Sequence, residues 1–202
     1  LFGPTPYSVN VASLNLKCQL AAVQGSYFFC FASDDVIGGG LRVVKYNMFT
    51  AVMEMTRRYS VAGVEGKGVR LVESFVFGEE LGLVGLVMVV EEQFVVMALD
   101  FDLDVGYSGV LKGISSRSEV VLDTSGDMLW IVMLRPMVSG VQQQRDICVV
   151  GLRVAPSKIT IETQFQFETT DYGDGVELTI STSWDGETLA IGYGAEVMYF
   201  AG

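Results

Sequence analysis

Histidine is absent from all 202 residues. Its absence removes Ser-His-Asp and Cys-His nucleophile systems, histidine general bases and histidine metal ligands together. Cysteine is scarce: Cys18, Cys30 and Cys148 are an odd number whose spacing fits no zinc or redox motif. The chain also has no Asn-x-Ser/Thr sequon. Three reduced, mostly buried thiols of a cytosolic protein are therefore expected, with a Cys18–Cys30 disulfide as the alternative. Charge is sparse too, at 18% of residues against a usual ~25%. Thirteen basic residues face twenty-four acidic ones, a net charge of -11, which argues against a surface built as a whole for polyanions, since phosphate contacts need clustered Lys and Arg. No apolar run is long enough to cross a membrane as a helix. The longest, Leu81–Val90, is closed by Glu79-Glu80 and Glu91-Glu92 and falls well short of the ~20 residues required.

What the chain does have is apolar surface. Half of its residues are hydrophobic and the mean hydropathy is +0.41. At 22.0 kDa the length suits one domain, so the surplus must go into an ample core and a large protein–protein interface. Starting at Leu1, with neither an initiator Met nor a signal peptide pattern, the sequence reads as cut from a longer precursor such as a polyprotein, or as given from its first ordered residue.

From Ser26 onward, short runs rich in Val, Ile, Phe and Tyr alternate with Gly, Asp and Ser turns, which predicts an all-β domain. Candidate strands are Ser26–Ala32, Leu41–Lys45, Val69–Phe77, Leu83–Val90, Phe94–Val105, Glu119–Leu122, Met128–Leu134, Asp146–Val154, Lys158–Phe167, Val176–Trp184 and Thr188–Tyr193. Lys158–Phe167 alternates cleanly, with Ile159, Ile161, Phe165 and Phe167 on one face and Thr160, Glu162, Gln164 and Gln166 on the other. After Trp184, Asp185-Gly186 suits a two-residue hairpin turn, and the last 45 residues, Lys158–Gly202, read as a meander. Leu83–Val90 and Met128–Leu134 are apolar on both faces, which predicts central strands or strands covered by a neighbour. One segment breaks the pattern. Asn47–Tyr59 places Met48, Phe49, Val52, Met53 and Thr56 at helical spacing, Asn47 can cap, and Glu54 can pair with Arg57 and Arg58, so a short inserted helix is expected there. Residues 1–25, with two prolines and little turn chemistry, read as an extended arm.

Three constellations could carry chemistry. On a strand, Asp100, Asp102 and Asp104 would stand on one face about 7 Å apart. The plainest reading is a solvated strand face. The pattern fails an EF-hand, because Val105 and Leu111 stand where that loop needs Gly and Glu, although a metal or inter-subunit site stays open. A glycosidase pair also needs carboxyls at such close quarters, and alternating acids on a strand resemble the Glu-x-Asp-x-Glu of jelly-roll glucanases. Gly63-Val64-Glu65-Gly66-Lys67-Gly68 lacks the spacing and the Ser/Thr of a phosphate loop and reads as a turn. Arg57, Arg58, Lys67 and Arg70 are the one basic concentration in an acidic chain, either a charged helix end and turn or a contact for RNA or an acidic neighbour. No catalytic, cofactor or metal residue is assigned, and the nine methionines read as core filler.

Taken together, the arm Leu1–Gly25, the first strand Ser26–Ala32, the helix Asn47–Tyr59, the Trp-bearing strand Met128–Leu134 and the final strand Asp146–Val154 resemble the jelly-roll coat proteins of plant picorna-like viruses, the comovirus, nepovirus and cheravirus group. That resemblance implies a single jelly-roll β-sandwich over 1–202, with an arm at 1–25 and a C-terminal β extension at 158–202. It further implies a structural capsid subunit without catalysis, cofactor or membrane, assembling with related coat subunits in an icosahedral shell. Such a subunit contacts genomic RNA weakly at most and belongs to a virion assembled in host cytoplasm. The alternative is a carbohydrate-active β-sandwich, a glycan-binding module or a retaining glycosidase using two of Asp100, Asp102 and Asp104. A trimeric ligand of the tumour-necrosis type is a third.

Overall fold

The computed structural model describes residues 17–34, 40–60, 69–77, 82–111, 119–135, 144–155, 158–170, 172–173, 175–183 and 187–201. The all-β expectation holds: the described residues form strands and contain no helix. The first sheet comprises β1 (Leu20–Gln24), β2 (Tyr27–Asp34), β3 (Gly40–Asn47) and β4 (Val52–Ser60). In the second are β5 (Val69–Val76), β6 (Val84–Val90), β7 (Gln93–Leu99) and β8 (Val105–Leu111). The third holds β9 (Glu119–Ser125), β10 (Met128–Leu134), β11 (Gln144–Ala155) and β12 (Lys158–Thr170). Last come β13 (Leu178–Thr182), β14 (Thr188–Tyr193) and β15 (Glu196–Ala201).

Within each sheet the spatial order is the chain order, and every described ladder is antiparallel between sequence neighbours. A jelly roll pairs strands distant in sequence; these sheets are meanders, joined through neighbours by short connections. The segment expected as a C-terminal β extension supplies strands to two sheets. β12 completes the third sheet beside β11, and β13–β15 form the fourth. Residues 1–16 of the expected arm lie outside the described residues, while Leu20–Gln24 is a strand paired with β2.

The sheets stack face to face in chain order. One core lies between the first two sheets, where Phe29, Phe31, Leu41 and Val43 meet Val84, Leu86, Met88 and Met97. A second fills the space between the second and third, with Val87, Val89, Phe94 and Val96 against Leu129, Ile131, Met133 and Val150. The last sets Trp130, Val132, Leu134 and Val149 against Leu189, Ile191 and Tyr193 of the fourth sheet. This explains the doubly apolar runs. β6 and β10 are buried at every residue, because alternate side chains point into different cores. Close packing also dictates a glycine. A Cβ on Gly85 would stand 2.3 Å from the Phe75 ring and 2.4 Å from the Met97 carbonyl, so only hydrogen fits there.

The inserted helix is absent. Residues 48–51 make a turn and Val52–Ser60 pairs with β3. Asn47 does cap, its Oδ1 accepting the Phe49 and Thr50 amides at 3.0 and 3.1 Å, but this local hydrogen bonding closes one turn and no more. Beyond it, Met55 and Tyr59 reach the core between the first two sheets, and Glu54 turns to Lys45 and Asn47 instead of the arginines. A waiting partner strand and period-2 burial outweigh helical spacing over so short a segment. Phe94–Val105, expected as one strand, is likewise split into β7 and β8 by a turn at Asp100–Asp104.

The thiols are free, with Cys30 and Cys148 buried and Cys18 exposed. Asp185, Gly186 and the Gly63–Gly68 turn lie outside the described residues, although β13 and β14 do pair as an antiparallel hairpin.

Candidate functional site

The first strands of successive sheets lie beside one another, β1 beside β5, β5 beside β9, and β9 beside β13, and the sheets also touch where β2 meets β5 and β8 meets β12. Side chains lace them. Ser74 Oγ donates to the Ala21 carbonyl at 2.9 Å, Gln24 Nε2 to the Phe77 carbonyl at 2.9 Å, and Thr124 Oγ1 to the Val76 carbonyl at 3.1 Å. Further along, Ser125 Oγ donates to the Ser183 carbonyl at 2.5 Å, and Asp123 Oδ2 accepts both the amide and the hydroxyl of Thr182 at 2.8 and 2.9 Å. All but the Ser74–Ala21 bond join the C-terminal ends of successive first strands, so the turns leaving them share one end of the stack.

At that end, on the seam between the first two sheets, the Asp100–Asp104 turn is bound to the first sheet. Asp100 Oδ1 accepts the Asp102 and Asp104 amides at 3.0 and 2.7 Å, a side-chain-capped turn of the kind short Asp favours. Leu103 sits at φ 60°, an uncommon conformation for a branched side chain, held because Leu103 is buried in the core and its carbonyl accepts the Tyr59 hydroxyl at 2.5 Å. Asp104 pairs with Arg57, which raises the Arg57 pKa chiefly through that hydrogen bond. Burial pushes Tyr59 up to about 12, with Asp104 and Asp100 adding to the rise and Arg57 opposing it.

Lys45 is the buried cation of the seam. A buried ammonium is costly unless compensated. Here Nζ donates to the Phe101 carbonyl at 3.0 Å, stands 3.4 Å from the Phe101 ring centroid and 4.5 Å from that of Tyr27, and has Glu54 Oε2 at 3.9 Å. The two rings meet edge to face at 4.7 Å. Next to them a pocket of about 260 Å³ is lined by Gln24, Gly25, Ser26, Tyr27, Gly82 and Phe101. The turn after β3 is fastened to Ser26, one of the lining residues, through the Met48 amide, which donates to the Ser26 carbonyl at 2.9 Å.

The three aspartates are thus not a strand face. Asp100 serves backbone amides and Asp104 serves Arg57, while the exposed Asp102 carboxylate has no partner among the described residues. Among the described residues no group of three or more His, Cys, Asp or Glu gathers as a metal site. The basic concentration is dispersed as well. Arg57 and Arg58 lie on β4, at the far edge of the first sheet, and Arg70 on β5, which runs along β1 and β2. Lys67 lies outside the described residues. Neighbours in sequence are separated here because a whole sheet width lies between β4 and β5. Sequence reasoning missed Lys45, Tyr27, Phe49 and Phe101; the available signal was a lysine set between Val43-Val44 and Tyr46.

No family model and no curated protein sequence matches the chain.

Proposed function

We propose that the chain is a non-catalytic interaction scaffold whose sheets are blades of a β-propeller-like fan, presenting a partner site on the turns at one end. One observation carries the reading: successive meanders, three of four strands and one of three, pack face to face with their first strands side by side and laced by hydrogen bonds. Radial repetition of that kind is how propeller sheets protect their faces. The first strands begin at Leu20, Val69, Glu119 and Leu178, intervals of roughly 50 to 60 residues, near those of propeller repeats. Internal stacking also absorbs much of the apolar surplus. Functions in such folds reside in the loops that a rigid frame displays.

The coat-subunit reading has one observation in its favour. The outward face of the fourth sheet exposes Val197 at 59% and Tyr199 at 73%, apolar surface of the kind a shell neighbour would cover. Light scattering and negative-stain microscopy of the purified protein separate the two. A scaffold gives a monodisperse particle of subunit size. Closed shells would overturn the scaffold in favour of a capsid subunit assembled in host cytoplasm, and hydrolysis across a glycan panel would overturn it in favour of the glycosidase.

A further inference from the structure

The structure assigns a docking site for a basic, apolar protein segment to the seam between the first two sheets, centred on Phe49, Phe101 and the pocket beside them. Phe49 is 80% exposed at the turn after β3, and Val52, next to that turn, is 53% exposed. Phe101, which lines the pocket, is 37% exposed, its carbonyl and ring held by Lys45. Solvent-facing aromatics held on an ordered frame are the usual anchors of an interface. The frame is ordered at each contact: Asn47 closes the Phe49 turn, Met48 fastens it to Ser26, and Asp100 braces the Phe101 turn. A pocket of about 260 Å³ suits a large side chain of the incoming segment.

Charge specifies the rest of the occupant. Around the patch stand Glu54, Asp100, Asp102 and Asp104, while Lys45 is buried and Arg57 is bound to Asp104. The exposed Asp102 carboxylate adjoins Phe101, and the whole chain carries -11. An arriving segment therefore meets apolar anchors inside a negative rim, and one large apolar side chain flanked by arginine or lysine is complementary to both. An acidic segment, or an equally acidic second copy, is repelled.

The inference rests on the scaffold reading, and the two fail separately. Shells or turnover undo the scaffold, whereas a monodisperse protein that ignores the probe undoes the docking site alone. The probe is a fluorescein-labelled peptide pool with one aromatic residue between two pairs of arginines, titrated by anisotropy against the full chain, beside the same pool with glutamates. Binding of the arginine pool only is expected. Phe49→Ser should weaken it about tenfold or more with an unchanged melting temperature, since Phe49 lies outside the cores. Asp102→Asn should weaken it a few-fold and flatten its salt dependence. No binding at about 1 mM, equal binding of both pools, or binding unaltered by Phe49→Ser would overturn the site. Self-association abolished by Phe49→Ser would also overturn it, by making a second copy the occupant.

Discussion

Adjacent residues on β6 offer a direct test of the stack. Leu86 points into the core shared with the first sheet and Val87 into the core shared with the third, both fully buried. In a sheet with one wet face, substitution of one of the two would be nearly silent. Here both should be costly. Leu86→Ala removes three buried carbon atoms and leaves a cavity, worth about 2–5 kcal/mol in well-packed cores. Val87→Ala removes two, and at ~0.8 kcal/mol per buried methylene plus a cavity contribution should cost about 1.5–3 kcal/mol. For a domain of this size each kcal/mol lowers the melting temperature by about 2–4 °C, so both variants should melt several degrees early. Urea unfolding with an unchanged m-value would locate the effect in stability rather than compactness. Val197→Ala, on the open face of the fourth sheet, is the control and should stay within about 0.5 kcal/mol. If Val87→Ala is as silent as the control while Leu86→Ala is not, the third sheet does not cover the second and the stacking argument fails.

Three further outcomes are expected. Gly85→Ala drives a methyl into the Phe75 ring and the Met97 carbonyl; it should cost at least about 1–3 kcal/mol, and Phe75→Leu should not restore the melting temperature, because the carbonyl remains. Asp100→Ala orphans the Asp102 and Asp104 amides and should destabilise by about 1–2 kcal/mol in chemical denaturation, whereas Asp100→Asn keeps the accepting oxygen and should recover most of the loss. Tyr59 has its folded pKa raised from 10.0 to about 12, so the folded state holds the proton longer than the unfolded chain. That contribution is complete below pH 10, fades as pH climbs toward 12, and is discounted by the partial exposure of the ring. Melting temperatures across this window should fall less steeply in Tyr59→Phe than in the parent, and an identical slope would refute the assignment.

Strand positions were most legible where burial alternates or saturates. Met128–Leu134 was read to the residue, and Leu83–Val90 differs from β6 by one residue at its start, because runs of Val, Leu, Ile and Met leave few alternatives for a strand covered on both faces. The turn at Asp100–Asp104 was not legible: its Asp-Phe-Asp-Leu-Asp alternation mimics a strand, and what breaks it is a carboxylate choosing two backbone amides over solvent. The same competition misled at Asn47, whose capping chemistry was real but ended in one turn. β1, β4, β8 and β15 were missed as separate strands. Leu20–Gln24 falls within the expected arm, most of Val52–Ser60 within the expected helix and Val105 of β8 within the strand expected before it, since short half-exposed strands carry weak periodicity. At the candidate site, Asp100, Asp102, Asp104 and Arg57 stand out in the sequence as residues, but their partnership does not, because Arg57–Asp104 links a strand of the first sheet to a turn of the second.

Some properties followed from the sequence alone. Short runs rich in Val, Ile, Phe and Tyr between Gly, Asp and Ser turns mark a β protein, and a half-apolar, sparsely charged composition gives it more core than one wet sheet requires. Where the surplus goes was decided by tertiary structure. Alternation says only that a strand has two faces; it does not say which sheet covers each. Stacking four meanders gave β6 and β10 a neighbour on either side, turned an acidic run into a braced turn, and set Phe49 and Phe101 on either side of one seam. Those pairings depend on long-range register and on cations such as Lys45 finding their compensation across sheets, information that no local pattern holds.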